Sequence, residues 1–131
     1  MKTLTEPEIK ALSGWELAAA VQEIVFGDKV SWQKPCSGSE RKPYIKNRRN
    51  LWELIPAYHS DGNAMLALKE KLAMDGRTVR VETFRQCGSP ENIINYVDVM
   101  VDTTLNCVKA DREPTALCRA ALLAYMKKGE V

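Results

Sequence analysis

The chain has 131 residues, of which 45% are hydrophobic and 27% are charged, and its formal net charge is +2. This length and composition predict one globular domain with a single core, and the small net charge excludes a uniformly basic nucleic-acid binder. No apolar run reaches the roughly 18 residues of a transmembrane helix, and the acidic N-terminal stretch lacks the apolar core of a signal peptide. We therefore expect a cytoplasmic protein without a membrane partner.

Helical structure is predicted for the N-terminal segment Thr5–Phe26. Thr5 and Glu8 match the Ser/Thr-x-x-Glu capping box that opens many helices. Ser13 and Gly14 are expected to divide the segment into a short helix and a longer one, whose apolar residues recur at helical spacing. Gly27 is the expected C-terminal stop.

The next segment, Lys29–Asn50, concentrates positive charge, and we call it the basic segment. It has seven Lys and Arg residues and one acid, so its charge is +6. Pro35, Gly38 and Pro43 argue against regular structure across most of it, and we predict a long loop inserted between two helices. Positive charge interleaved with aromatic rings suits a nucleotide, a nucleic acid or an acidic protein. The candidate binding residues are Trp32, Lys34, Arg41, Lys42, Tyr44, Lys46, Arg48 and Arg49.

Two elements are predicted directly after the basic segment. Leu51–Tyr58 is apolar and is expected to pack against the core, with Pro56 excluding a helix interior. A helix is predicted over Ala64–Asp75, with Ser60 or Asp61 as its N-cap.

The C-terminal half adds strands and a last helix. Thr78–Phe84 and Ile93–Val101 both alternate apolar and polar residues, which predicts an antiparallel hairpin. Pro114–Lys128 is apolar almost all round and is expected to be a buried helix. The resulting order is helix, long loop, helix, β-hairpin, helix. It predicts one α+β layered domain over 1–131, with the basic loop as an insertion at 29–50.

Three segments of the chain, taken together, resemble a known family. They contain the cap Tyr58-His59-Ser60-Asp61, the run Glu70-Lys71-Leu72 and the helix motif Leu117-Cys118-Arg119-Ala120-Ala121-Leu122. In order and spacing these segments are similar to the phage ABA sandwich family of small bacteriophage and prophage proteins. The segments cover 61 of the 131 residues and are Leu4–Gly27, Pro56–Gly76 and Pro114–Gly129.

The resemblance implies a phage origin, and it also implies a fold and a location. The expected fold is a layered sandwich of helices around a small antiparallel sheet, and the expected location is the cytoplasm of the host. The family brings no catalytic residue. Lys29–Asn50 departs from the family pattern, because other members are often shorter or variable there.

Candidate catalytic and metal-binding groups are sparse. The four cysteines form no CxxC pair, so we expect reduced thiols, no metal site and no cofactor. His59 is the only histidine, and its place before a helix cap predicts a turn residue rather than a catalyst. Arg119 interrupts the apolar final helix and is expected to pair with Asp98, Asp102 or Asp111. The alternative is an arginine that binds an anion at a pocket or a subunit interface.

Three hypotheses about function remain. The leading one is a non-enzymatic phage accessory protein that inhibits a host defence system. It would occupy a host protein or nucleic-acid-binding surface, or sequester a nucleotide signal, through the basic segment. The second is a self-assembling structural phage protein, motivated by Trp15, Trp52 and the apolar final helix. The third is a small nucleotide-directed enzyme that uses His59.

Overall fold

The computed structural model describes residues 5–34, 40–89, 92–102, 107–110 and 112–127. In this part of the chain, four helices pack with two three-stranded antiparallel sheets, which confirms the predicted α+β class. The helices are α1 (Glu6–Ala11), α2 (Gly14–Ile24), α3 (Gly62–Met74) and α4 (Glu113–Lys127). The strands are β1 (Ser31–Gln33), β2 (Lys42–Lys46), β3 (Trp52–Leu54), β4 (Val79–Ser89), β5 (Asn92–Val101) and β6 (Cys107–Ala110).

The break between α1 and α2 lies where it was predicted. The Thr5 hydroxyl accepts a hydrogen bond from the Glu8 amide and caps α1. Gly14 opens α2 with a φ of +57°, in the left-handed region where a side chain would be strained. The chain therefore turns at this point instead of continuing as one long helix.

The basic segment contains two short strands that were not predicted within the long loop expected there. It contains β1 and β2, which form the first sheet with β3 in the order β1-β2-β3. Pro43 is tolerated inside β2 because its ring is buried and its carbonyl still accepts a hydrogen bond from the Ile55 amide. The loop-forming residues Pro35 and Gly38 lie outside the described residues.

The segment after the basic segment packs against the core only in part. Ile55 and Tyr58 are buried, at 2% and 3% exposure. Leu51, Trp52 and Leu54, in and next to the edge strand β3, are exposed at 60%, 48% and 38%. The expected packing of this segment is therefore wrong for β3 and confirmed for Ile55 and Tyr58.

The predicted hairpin is present and is longer than expected. β4 and β5 pair antiparallel from Val79↔Val101 to Ser89↔Asn92, and β6 extends the second sheet with Val99 opposite Val108. β6 has four residues, too few for a period to be recognised in the sequence. The Asp61 carboxylate caps α3 by accepting from the Asn63 amide, as predicted.

The core is organised around α4, which contacts β5 and β6 and also the other three helices. Leu117, Cys118 and Leu122 are fully buried in it, which confirms the prediction of burial on several sides. Leu17, Val21 and Leu68 complete this core from α2 and α3. Among the described residues, no helix is long and apolar enough to span a membrane.

Arg119 binds the main chain at the end of α1, and its predicted ion pair is not among the ion pairs of the described residues. Its Nε and Nη2 donate to the carbonyl oxygen of Leu12, at 3.2 and 2.9 Å, at the C-terminal end of α1. Asp102 instead pairs with Arg77 and accepts a hydrogen bond from the Thr78 amide. Asp111 lies outside the described residues.

Candidate ligand-binding face

A well-formed turn joins β2 to β3 and carries the two arginines of the basic segment. The Asn47 side-chain oxygen accepts hydrogen bonds from the amides of Arg49 and Leu51, at 2.9 and 3.1 Å. Asn50 has a φ of +63°, a conformation that asparagine tolerates better than most residues. Arg48 and Arg49 are consequently held at the exposed tip of the turn.

One face of the first sheet collects aromatic and cationic side chains. The register places Tyr44 opposite Leu54 and Lys46 opposite Trp52. Residues that lie directly opposite share a face, and alternate residues of a strand return to it. We call this side of β2 and β3, with Tyr44, Lys46, Trp52 and Leu54, the hairpin face.

A cavity of about 370 Å³ opens on the hairpin face. It is lined by Lys29, Ser31, Lys46 and Trp52. The Lys46 ammonium lies 5.2 Å from the centre of the Trp52 ring, and 48% of Trp52 is exposed. Two lysines, a serine and a tryptophan thus line a volume within the range typical of small-ligand sites.

The chemistry of this cavity suits a ligand that is both anionic and flat. Lysine ammonium groups supply positive charge and hydrogen-bond donors for phosphate oxygens. An exposed indole offers a surface on which a nucleic-acid base can stack. Both features meet at one place on the hairpin face.

Trp32 lies on the other side of the first sheet. It pairs with Pro43 in the register, one residue out of phase with Tyr44. It lines a groove of about 410 Å³ against α2, beside the carboxylates of Glu16 and Glu23. The structure therefore separates Trp32 from the Lys46 ammonium, and acidic neighbours make its surroundings unsuitable for an anion.

The other predicted binding residues are distributed around the sheet. The Lys42 ammonium lies 5.9 Å from the centre of the Trp15 ring in α2. Lys34 and Arg41 are exposed at either end of the undescribed stretch 35–39. Only Tyr44, Lys46, Arg48 and Arg49 of the predicted set belong to the hairpin face or its turn.

Three residues of the cavity were missing from the predicted site. Trp52 lies outside the basic segment, while Lys29 and Ser31 belong to it but were not selected. The detectable signal was Asn47 and Asn50 between two short apolar-aromatic runs, which is typical of a hairpin turn. Pairing the runs across this turn would have placed Trp52 beside Lys46.

Neither His59, the one residue considered for catalysis, nor the thiol of Cys118 lines the cavity. His59 packs edge-on against Trp15, with ring centres 5.1 Å apart, and its buried Nδ1 has no hydrogen-bond partner among the described residues. Burial lowers the pKa of His59, and the charge of Arg112 lowers it further. Burial raises the pKa of the Cys118 thiol to about 12. Within the described ranges, no group of three or more His, Cys, Asp or Glu side chains could hold a metal ion.

Comparison with known proteins gives no match from which a function could be transferred. No protein-family model matches the chain, and no curated protein or solved structure matches it. The resemblance to the phage ABA sandwich family therefore stays a prediction based on three sequence segments.

Proposed function

We propose that this protein binds a nucleotide unit, free or within a single-stranded nucleic acid, through the hairpin face. The observation that supports the proposal is the meeting of Lys29, Lys46 and Trp52 around one cavity. The base would stack on the Trp52 ring and the phosphate would lie between the two ammonium groups. Arg48 and Arg49 at the turn would contact further phosphates of a longer strand.

The contact between Lys46 and Trp52 does not oppose such binding. An exposed cation–π contact is worth about 0.5–1 kcal/mol, whereas a base stacked on an aromatic ring is worth about 1–3 kcal/mol. A base can therefore replace the ammonium on the ring at little net cost. The released Lys46 ammonium remains close enough to pair with the phosphate of the same ligand.

The protein would act by binding its ligand or target rather than by catalysing a reaction. A buried thiol with a raised pKa is a poor nucleophile, and neither Cys118 nor His59 lines the cavity. The resemblance to phage proteins supports the role of an accessory protein in the host cytoplasm. In that role it would block a host defence system by sequestering a nucleotide signal or by covering a nucleic-acid-binding surface.

Charge variants test this proposal against a matched control. The probe is a fluorescein-labelled oligothymidylate, and its affinity is measured by fluorescence anisotropy. Lys29→Gln/Lys46→Gln should weaken binding about tenfold or more, because each lost charged hydrogen bond contributes about 1.5–3 kcal/mol. Lys69→Gln/Lys71→Gln removes the same charge from α3 and should leave the affinity within about twofold. Equal losses in the two double variants would show a general charge effect and overturn the proposal.

Self-assembly is the second candidate, and the exposure of β3 favours it. Leu51, Trp52 and Leu54 form an exposed apolar patch at the edge of the first sheet. Exposed edge strands can pair with another chain. Light scattering of the purified protein distinguishes the candidates: a concentration-dependent dimer that Leu54→Lys returns to monomer supports self-assembly, and a monomer at all concentrations excludes it.

A further inference from the structure

A second cavity brings three cationic side chains together from distant parts of the chain. It has a volume of about 390 Å³ and is lined by Lys10, Val108, Lys109 and Arg119. The cations come from α1, β6 and α4. None of these residues lines the cavity on the hairpin face.

Arg119 is oriented in this cavity by the main chain. Its Nε and Nη2 are both used by the Leu12 carbonyl oxygen, on one edge of the guanidinium. A carbonyl accepts the hydrogen bonds but does not neutralise the charge. No ion pair within the described part of the chain includes Arg119. A half-buried guanidinium is thus held in place through Nε and Nη2, and Nη1 takes part in neither of these two bonds.

The other two cations of the cavity both have acidic neighbours. Lys10 pairs with Glu6 at 3.1 Å, but both side chains are about half exposed, so the pair is readily exchanged. Lys109 lies opposite Asp98 in the β5–β6 register. Among the described residues no carboxylate forms an ion pair with Arg119, so an anion in the cavity would meet its guanidinium.

We propose that this cavity binds a small organic phosphate. The planar guanidinium of Arg119 would hold two phosphate oxygens, and the ammonium groups of Lys10 and Lys109 would contact the others. The volume of about 390 Å³ leaves room for an organic part, which would lie against Val108. This site is independent of the function proposed for the hairpin face.

NMR titration tests the site with two probes, inorganic phosphate and phenyl phosphate. Each should shift the amide resonances of Val108 and Lys109 saturably, and phenyl phosphate should bind more tightly because of its organic part. Lys10→Gln/Lys109→Gln should weaken binding about tenfold, and Arg119→Gln should weaken it further. If Arg119→Gln does not fold after losing its bond to Leu12, the double lysine variant alone decides the question.

Two controls separate this site from other effects. Arg80→Gln removes an exposed cation from β4 and should leave phosphate binding unchanged. Lys29→Gln/Lys46→Gln should also leave it unchanged, so the two proposals can fail separately. The proposal is overturned if the shifts are unsaturable, if they persist in Lys10→Gln/Lys109→Gln, or if both probes bind equally well.

Discussion

Lys46 lies directly opposite Trp52 in the pairing of β2 with β3, and its ammonium is 5.2 Å from the centre of the indole ring. This pair connects the basic segment to a residue beyond its boundary. The turn at Asn47 creates the connection, since it folds the strand that follows back onto β2. The functional unit is therefore a hairpin face rather than a charged loop.

Binding to an oligothymidylate should depend steeply on salt. Each phosphate neutralised on a single strand contributes roughly −0.7 to the slope of log K against log salt concentration. Contacts from Lys29, Lys46, Arg48 and Arg49 predict a slope of about −2 to −3. The slope is measured by anisotropy titrations over a series of salt concentrations. A slope near zero would exclude phosphate contacts, and Lys69→Gln/Lys71→Gln should keep the slope of the natural protein.

Tyr58→Phe should destabilise the fold by about 1–3 kcal/mol. The Tyr58 hydroxyl donates to Oε1 of Gln22 at 2.7 Å, and Gln22 is only 3% exposed. Removing the hydroxyl leaves a buried amide oxygen without its donor, whose desolvation is then uncompensated. Urea unfolding measures the change in the free energy of unfolding. Tyr44→Phe on the hairpin face is the control and should cost less than about 0.5 kcal/mol; equal costs would contradict the buried network.

The pKa of His59 should lie below 6.5, because burial and the charge of Arg112 both disfavour its protonated form. As the only histidine, it can be followed without ambiguity by proton NMR across a pH titration. The unfolded chain takes up a proton as the pH falls through 6.5, while the folded chain resists it. Stability should therefore decline below that pH and level off once the folded pKa is passed. His59→Asn should remove this step, and a pKa of 6.5 or above would contradict the described packing.

Two leucines of α3 provide a test of its orientation. Leu68 is fully buried, whereas Leu66 is 53% exposed. Leu68→Ala should cost about 2–5 kcal/mol through the cavity it leaves. Leu66→Ala should change the free energy of unfolding by less than about 0.5 kcal/mol. Urea unfolding of both variants checks this, and a reversed order of the two costs would mean that α3 presents another face to the core.

Much of the fold could be predicted because local signals coincide with it. Asp61 caps α3, Gly14 separates α1 from α2, and the apolar surface of α4 is wide enough to indicate burial. The first sheet could not be predicted, because β1 and β3 have three residues each. Strands of that length carry no measurable period, and Pro43 inside β2 is a signal against a strand. The pairing of these strands depends on contacts between residues that are separated in the sequence, which a short stretch of sequence does not reveal.

The density of positive charge in the sequence indicated the region of the candidate site, but it identified only some of the residues there. Lys46, Arg48 and Arg49 belong to the hairpin face or its turn, since charge density locates an exposed cationic region. Trp32 was grouped with them by proximity in sequence. A strand sends consecutive residues to opposite faces, so such proximity does not imply a shared surface. Trp52 is distant in sequence from Lys29 but lines the same cavity.

Replacing each of two tryptophans of the first sheet tests the central claim most directly. Trp52 and Trp32 are comparably exposed, at 48% and 39%, but lie on opposite faces of the sheet. Anisotropy with the labelled oligothymidylate should show that Trp52→Ala loses about tenfold or more in affinity, since stacking contributes about 1–3 kcal/mol. Trp32→Ala should bind within about twofold of the natural protein. Unchanged binding by Trp52→Ala, or a loss found only in Trp32→Ala, would contradict the assignment of the hairpin face.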